Sequence, residues 1–163
     1  MIGPRSSGWL RGALALVAIS LSGCDVAAST QAAQSGLQAR DRALDLSAQT
    51  DLRNALVAAK TVYMETSSYD AANPSGLRAV EPTLCFVDSG TQSAPAGSSC
   101  SGGQGSESVS VLGQGQDFGA AVRSQSGKCF WIRDSVGSGT AYGTGEPCTG
   151  SAALQAANPA FPA

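Results

Sequence analysis

The run from Leu46 to Tyr69, LSAQTDLRNALVAAKTVYMETSSY, holds neither glycine nor proline in a chain that carries 20 Gly and 7 Pro. Ala48, Leu52, Ala55 or Leu56, Ala59 and Tyr63 recur at intervals of three and four, which places them on one side of an α-helix. Asp51, Arg53, Asn54, Lys60 and Glu65 fall mainly elsewhere and read as a solvated face. The stripe is thin, built of Ala and Leu, and suits a helix lying close against a sheet. It offers no chemistry of its own. The helix is expected to end near Ser67 to Asp70, and Asn73-Pro74 with Ser75-Gly76 predicts an extended or turn segment after it.

Composition narrows the function classes. Charged residues make up 13% of the 163 residues, about half the usual share, and aromatics only 6%. Ser, Thr, Gly, Gln and Asn do the solubilising instead, as is commoner in secreted and surface proteins. There is no histidine, so the commonest general base and metal ligand are absent. Serine nucleophiles lack a base, and no spacing supports a Ser-Lys pair with Lys60 or Lys128. The G-x-G pairs at 103/105, 113/115, 137/139 and 143/145 open no predicted helix after a strand and read as loop glycines. No basic patch points to nucleic acid.

Residues 1–23 read as a secretory signal. Arg5 and Arg11 form a positive flank, and ALALVAISL (13–21) forms an apolar core too short to span a bilayer. Loss of those two arginines takes the net charge from −2 to −4. The core ends on Leu21, Ser22, Gly23 and Cys24, which resembles the lipobox of bacterial lipoproteins. That resemblance implies a diacylglyceryl group on the Cys24 sulfur, cleavage before Cys24 and anchoring to the membrane through the lipid. The five cysteines agree, since an odd number leaves one over in a secreted protein. Setting Cys24 aside leaves Cys85, Cys100, Cys129 and Cys148, which allow three connectivities. Cys85–Cys100 and Cys129–Cys148 are favoured because each closes a local loop. With no C-x-x-C pair and an exported chain, a zinc site is disfavoured.

Residues 24–43 are polar and rich in Ala, Ser and Gln. They read as a tether, an extension of the helix, or both; their poor apolar face predicts weak helicity at most. From Leu77 the pattern changes to short runs bounded by Gly, Ser and Pro. Strands are predicted at Thr83–Val87, Ser108–Leu112, Phe118–Arg123 and Lys128–Asp134, with a short edge strand at Ala141-Tyr142. Ser124-Gln125-Ser126-Gly127 reads as a hairpin connection with Gly at positive φ. Asp88 to Glu107 is expected to be a loop, and 151–163 a loose tail. The expected fold class is α+β: one long helix covering one face of an antiparallel meander, with Phe130 and Ile132 beneath it. Trp131 falls on the opposite face, either covered or forming a contact patch with Tyr142. Asp88 and Asp134, one per loop, are thin support for calcium, which takes several oxygen ligands. No metal and no cofactor is expected.

Several of these residues occur in the order seen in a known family. DLRNALVAAKTVYMETSSYD, then Leu77, EPTL, FGAAVRSQSGKCFWIRD and a late cysteine resemble a type IV pilin or pseudopilin globular domain, most closely the actinobacterial type. Arg53, Asn54, Ala55, Ala59, Tyr63 and Tyr69 match the family's helix pattern and following loop. Ser124, Ser126, Gly127 and Cys129 match its hairpin turn. The resemblance covers about residues 44–150. It implies a pilin-like domain in which Cys129 to Cys148 bounds a loop that contacts partners. The chain departs from the family in one respect. A pilin keeps a long apolar helix after its leader, whereas here the apolar segment lies in the part to be removed, and residues 25–45 are too polar to replace it. The leading expectation is a lipid-anchored surface protein with a structural or interaction role; a true minor pilin or pseudopilin comes second. A secreted binding module or an enzyme is least favoured, as neither paired carboxylates nor a pocket signature is found. The outward loops at 88–107 and 134–147 are the expected contact regions.

Overall fold

The computed structural model describes residues 25–94 and 107–162, with side chains along the first helix from residue 34 onward. Helix α1 runs without interruption over Asp25–Thr66, 42 residues. It ends where Ser67 adopts a left-handed φ of 58°. This corrects the expectation of weak helicity over 24–43. Residues 34–43 are exposed on every side, and burial begins only with the half-buried Leu44, so packing does not hold this part. Its Ala, Gln and Arg content favours helix, and the packed half downstream spares it the cost of nucleation.

The packed half buries Ala48, Leu52, Ala55, Leu56 and Ala59 of the stripe the spacing marks, with Tyr63 half-buried, and adds Ala58 and Val62, which the spacing did not single out. A second helix, α2 (Pro74–Val80), stands where a break was expected. The Asn73 side chain accepts from the backbone N–H groups of Ser75 and Gly76, and Pro74 occupies the first turn. An Asn cap followed by Pro is a helix start, and here it outweighs the glycine at 76.

Five strands follow: β1 (Cys85–Asp88), β2 (Ser108–Gln114), β3 (Asp117–Arg123), β4 (Cys129–Ser135) and β5 (Gly139–Thr144). They form one sheet in the order β1-β2-β3-β4-β5. The four C-terminal strands make the expected antiparallel meander. β1, however, pairs with β2 in parallel, Phe86 opposite Val109. A parallel neighbour cannot be reached by a tight turn, and the long 89–107 connection supplies the crossover. At the β3–β4 turn Gly127 has φ of 94°, as its place in the hairpin requires.

The helix-facing side of the sheet carries Val109, Val111, Phe118, Ala120, Val122, Phe130 and Ile132 in one core with α1. The opposite side carries Ala121 and Cys129, packed with Cys148, Ala153 and half-buried Trp131. Ile132 pairs with Tyr142, so Tyr142 lies on the helix side and Trp131 on the other. The two therefore form no common patch.

The C-terminal segment is docked rather than loose. Thr149 caps a short helix α3 (Gly150–Ala153), whose first N–H donates to Ser110 Oγ at 2.9 Å. Ala153 and Ala156 are buried, and Asn158 bridges to Tyr142. This segment lacks periodicity because it is held by single residues spaced irregularly. A Cβ added at Gly150 would stand 2.5 Å from the Val111 carbonyl carbon. Gly150→Ala is therefore expected to destabilise by about 1–3 kcal/mol through forced separation of α3 from β2, read by chemical denaturation. An unchanged midpoint would show that α3 shifts freely.

Candidate interaction surface

The region between Cys129 and Cys148 is built on β4 and β5 and closed at its base. The two sulfurs are bonded, with Cα atoms 5.6 Å apart and a separation of 19 positions in sequence. Closing a loop of that length stabilises by about 3 kcal/mol through chain entropy. Arg123 adds a second tie, with its guanidinium 2.7 Å from the Glu146 carboxylate. Most of 134–147 is strand, not loop. The exposed remainder on this side is the β4–β5 turn, where Val136 is 53% exposed.

Beneath that turn lies a buried polar knot. Asp134 sits at the end of β4 with only 7% of its side chain exposed. Tyr69 donates its hydroxyl to Asp134 Oδ2 at 2.6 Å. Thr140 donates to Oδ1 at 2.6 Å, and Lys60 Nζ lies 3.0 Å from the same oxygen. Burial opposes the charge on Asp134, but the hydrogen bonds from Thr140, Tyr69 and Lys60 outweigh it and hold the carboxyl below its ordinary range. Burial, followed by the Asp134 hydrogen bond, pushes the Tyr69 hydroxyl well above its ordinary value.

With three donors on its two oxygens, Asp134 ties helix, loop and sheet together and is not disposed as a calcium ligand. Among the described residues, no three His, Cys, Asp or Glu side chains gather as a metal would need. Around the knot, Tyr69 N–H donates to the Gly115 carbonyl and Asp70 accepts from Gly115 N–H, each at 2.7 Å. Tyr63 donates to Gln116 at 2.7 Å. These bonds clamp the end of α1 to the β2–β3 turn.

At the opposite end of the sheet, Asp45 accepts from Ser126 and pairs with Lys128 at 3.4 Å. Near it Glu107, 2% exposed, leaves one carboxylate oxygen buried without a partner. Its burial and the negative Asp51 raise its carboxyl to about 7, although a Gln125 backbone N–H opposes the shift. Neither Lys60–Asp134 nor Glu107 was legible in the sequence. The first pair is separated by 74 positions, and Glu107 carries no motif.

The remaining expected residues divide as follows. Ala55 and Ala59 are core, Asn54 is exposed, and Arg53 lies over the Phe161 ring, 5.1 Å from its centroid. Ser124 accepts from Ser126 N–H within the turn. Cys85 is buried on β1 and disulfide-bonded, while its expected partner Cys100 lies outside the described residues. Leu21, Ser22, Gly23 and Cys24 also lie outside them, as does most of the 88–107 loop. No helix among the described residues is long and apolar enough to cross a membrane. No protein-family model, curated protein or solved structure matches this chain.

Proposed function

We propose that this chain is a lipid-anchored, extracytoplasmic, pilin-like protein with a structural or interaction role at the cell surface, in adhesion or as an accessory to a pilus or secretion apparatus. The observation that carries the reading is Leu21-Ser22-Gly23-Cys24 at the end of a short apolar core. A continuous helix over Asp25–Thr66, polar in sequence over residues 25–43, supports it. So does a mostly antiparallel sheet backed by that helix, with the region from Cys129 to Cys148 stapled at its base. The absence of histidine weighs against catalysis as the role.

The competing reading is a minor pilin or pseudopilin subunit of a filament, favoured by the unbroken α1 alone. Mass spectrometry of the mature N-terminus separates the two. A diacylglyceryl group on Cys24, with palmitate label lost in Cys24→Ala, is the expected result. A methylated N-terminus upstream of Cys24 would overturn the lipid anchor and favour the filament subunit.

A further inference from the structure

Among the described residues, the outer edge of β5 is covered at one residue only. Tyr142 N–H donates to the Asn158 carbonyl at 2.8 Å, and Asn158 N–H donates back at 2.9 Å. Positions two apart on a strand point their main-chain groups the same way, so Thr140 and Thr144 present theirs along this edge. Among the described residues the C-terminal segment bridges to Tyr142 alone. Beyond the bridge, Phe161 enters an aromatic socket. Its ring meets Phe130 edge-on at 5.8 Å and Tyr142 at 4.6 Å, with the Arg53 guanidinium over its face. Pro159 and Pro162 stand on either side of Ala160-Phe161 and restrict φ there, the chain bending at 159–160 as it leaves the bridge. Main-chain pairing along an edge combined with a side-chain socket is the chemistry of strand addition.

We infer that the β5 edge and this socket form a strand-addition site for the Asn158–Phe161 segment of a second copy of this chain, the chain's own segment holding it in the monomer. Fit argues for a second copy: the segment already matches the groove, and exchange remakes the same contacts between molecules. The tethered segment opposes exchange with an effective concentration on the order of mM. Exchange therefore favours crowded copies, and crowding on a membrane is the only part that rests on the proposed lipid anchor. The solution test below reads exchange without it.

Sedimentation of the full chain is compared at ~10 μM and ~1 mM, below and near that effective concentration. In parallel, a fluorescent peptide of residues 155–162, QAANPAFP, is titrated onto full-length Phe161→Ala and wild type. Expected are a monomer at low and a dimer at high concentration, and loss of the dimer in Phe161→Ala. The peptide should bind that variant at least tenfold more tightly than wild type, whose own segment competes. A wild type that stays monomeric at the higher concentration overturns the inference. So does a folded Phe161→Ala that ignores the peptide or still dimerises. Where that variant fails to fold, wild-type sedimentation alone decides.

Discussion

Asp134→Ala is expected to destabilise the domain by about 3 kcal/mol, lowering its thermal midpoint by roughly 10 °C. The substitution leaves the buried Tyr69 hydroxyl without an acceptor, which alone costs about 1–3 kcal/mol, and also strands Thr140 and Lys60. Lys60→Met should cost at most about 1 kcal/mol, because the ammonium is half in water and its ion pair is screened. Tyr69→Phe should fall between them. Equal losses for Lys60→Met and Asp134→Ala would place the energy in the ion pair and refute the hydrogen-bond account. The pH dependence has a definite sign. Asp134 is held below its ordinary 3.8 in the fold, so its contribution is present above that value. It disappears as pH falls through the lowered folded value.

Glu107 acts in the opposite direction, and Glu107→Gln is expected to stabilise the chain above neutral pH. Its carboxyl titrates near 7 in the fold against 4.5 when free. Between those values the folded chain holds a proton that the unfolded chain has released. Stability therefore declines as pH rises from 4.5 to about 7 and then levels off. The full decline is on the order of 3 kcal/mol by linkage. Urea midpoints should be higher at pH 5 than at pH 8 in wild type, and nearly equal in Glu107→Gln. A wild type equally stable at both would mean that Glu107 finds a partner for its charge. Taken with Asp134, this side chain puts the stability maximum on the acid side of neutrality.

Local periodicity made the central parts of the fold legible. The three-and-four spacing of Ala and Leu named the buried side of α1, and short apolar runs named all five strands. Phe130 and Ile132 lie under the helix because alternation puts them on one face. The parts that escaped are those where no period exists. The N-terminal half of α1 is helical without an apolar face. α2 begins at an Asn-Pro pair that also serves as a turn signal. The direction of β1 depends on a crossover whose path the local pattern does not encode. Phe161, one aromatic between prolines, finds its socket only once Phe130, Tyr142 and Arg53 have been brought together. The Asp134 knot is of the same kind, assembled from α1, the loop after it, β4 and β5.

The N-terminal stretch of α1 has a mechanical consequence. Residues 25–43, at the rise of an α-helix, make a strut about 28 Å long. A flexible coil of the same residues would have a root-mean-square span of roughly 20–25 Å, so the reach would hardly differ. What differs is its distribution: a coil lets the domain wander over a hemisphere, whereas a strut fixes height and heading together. On the proposed lipid anchor, tilting at the bilayer would therefore swing the domain as a lever does, and the β4–β5 turn would sweep an arc rather than a volume.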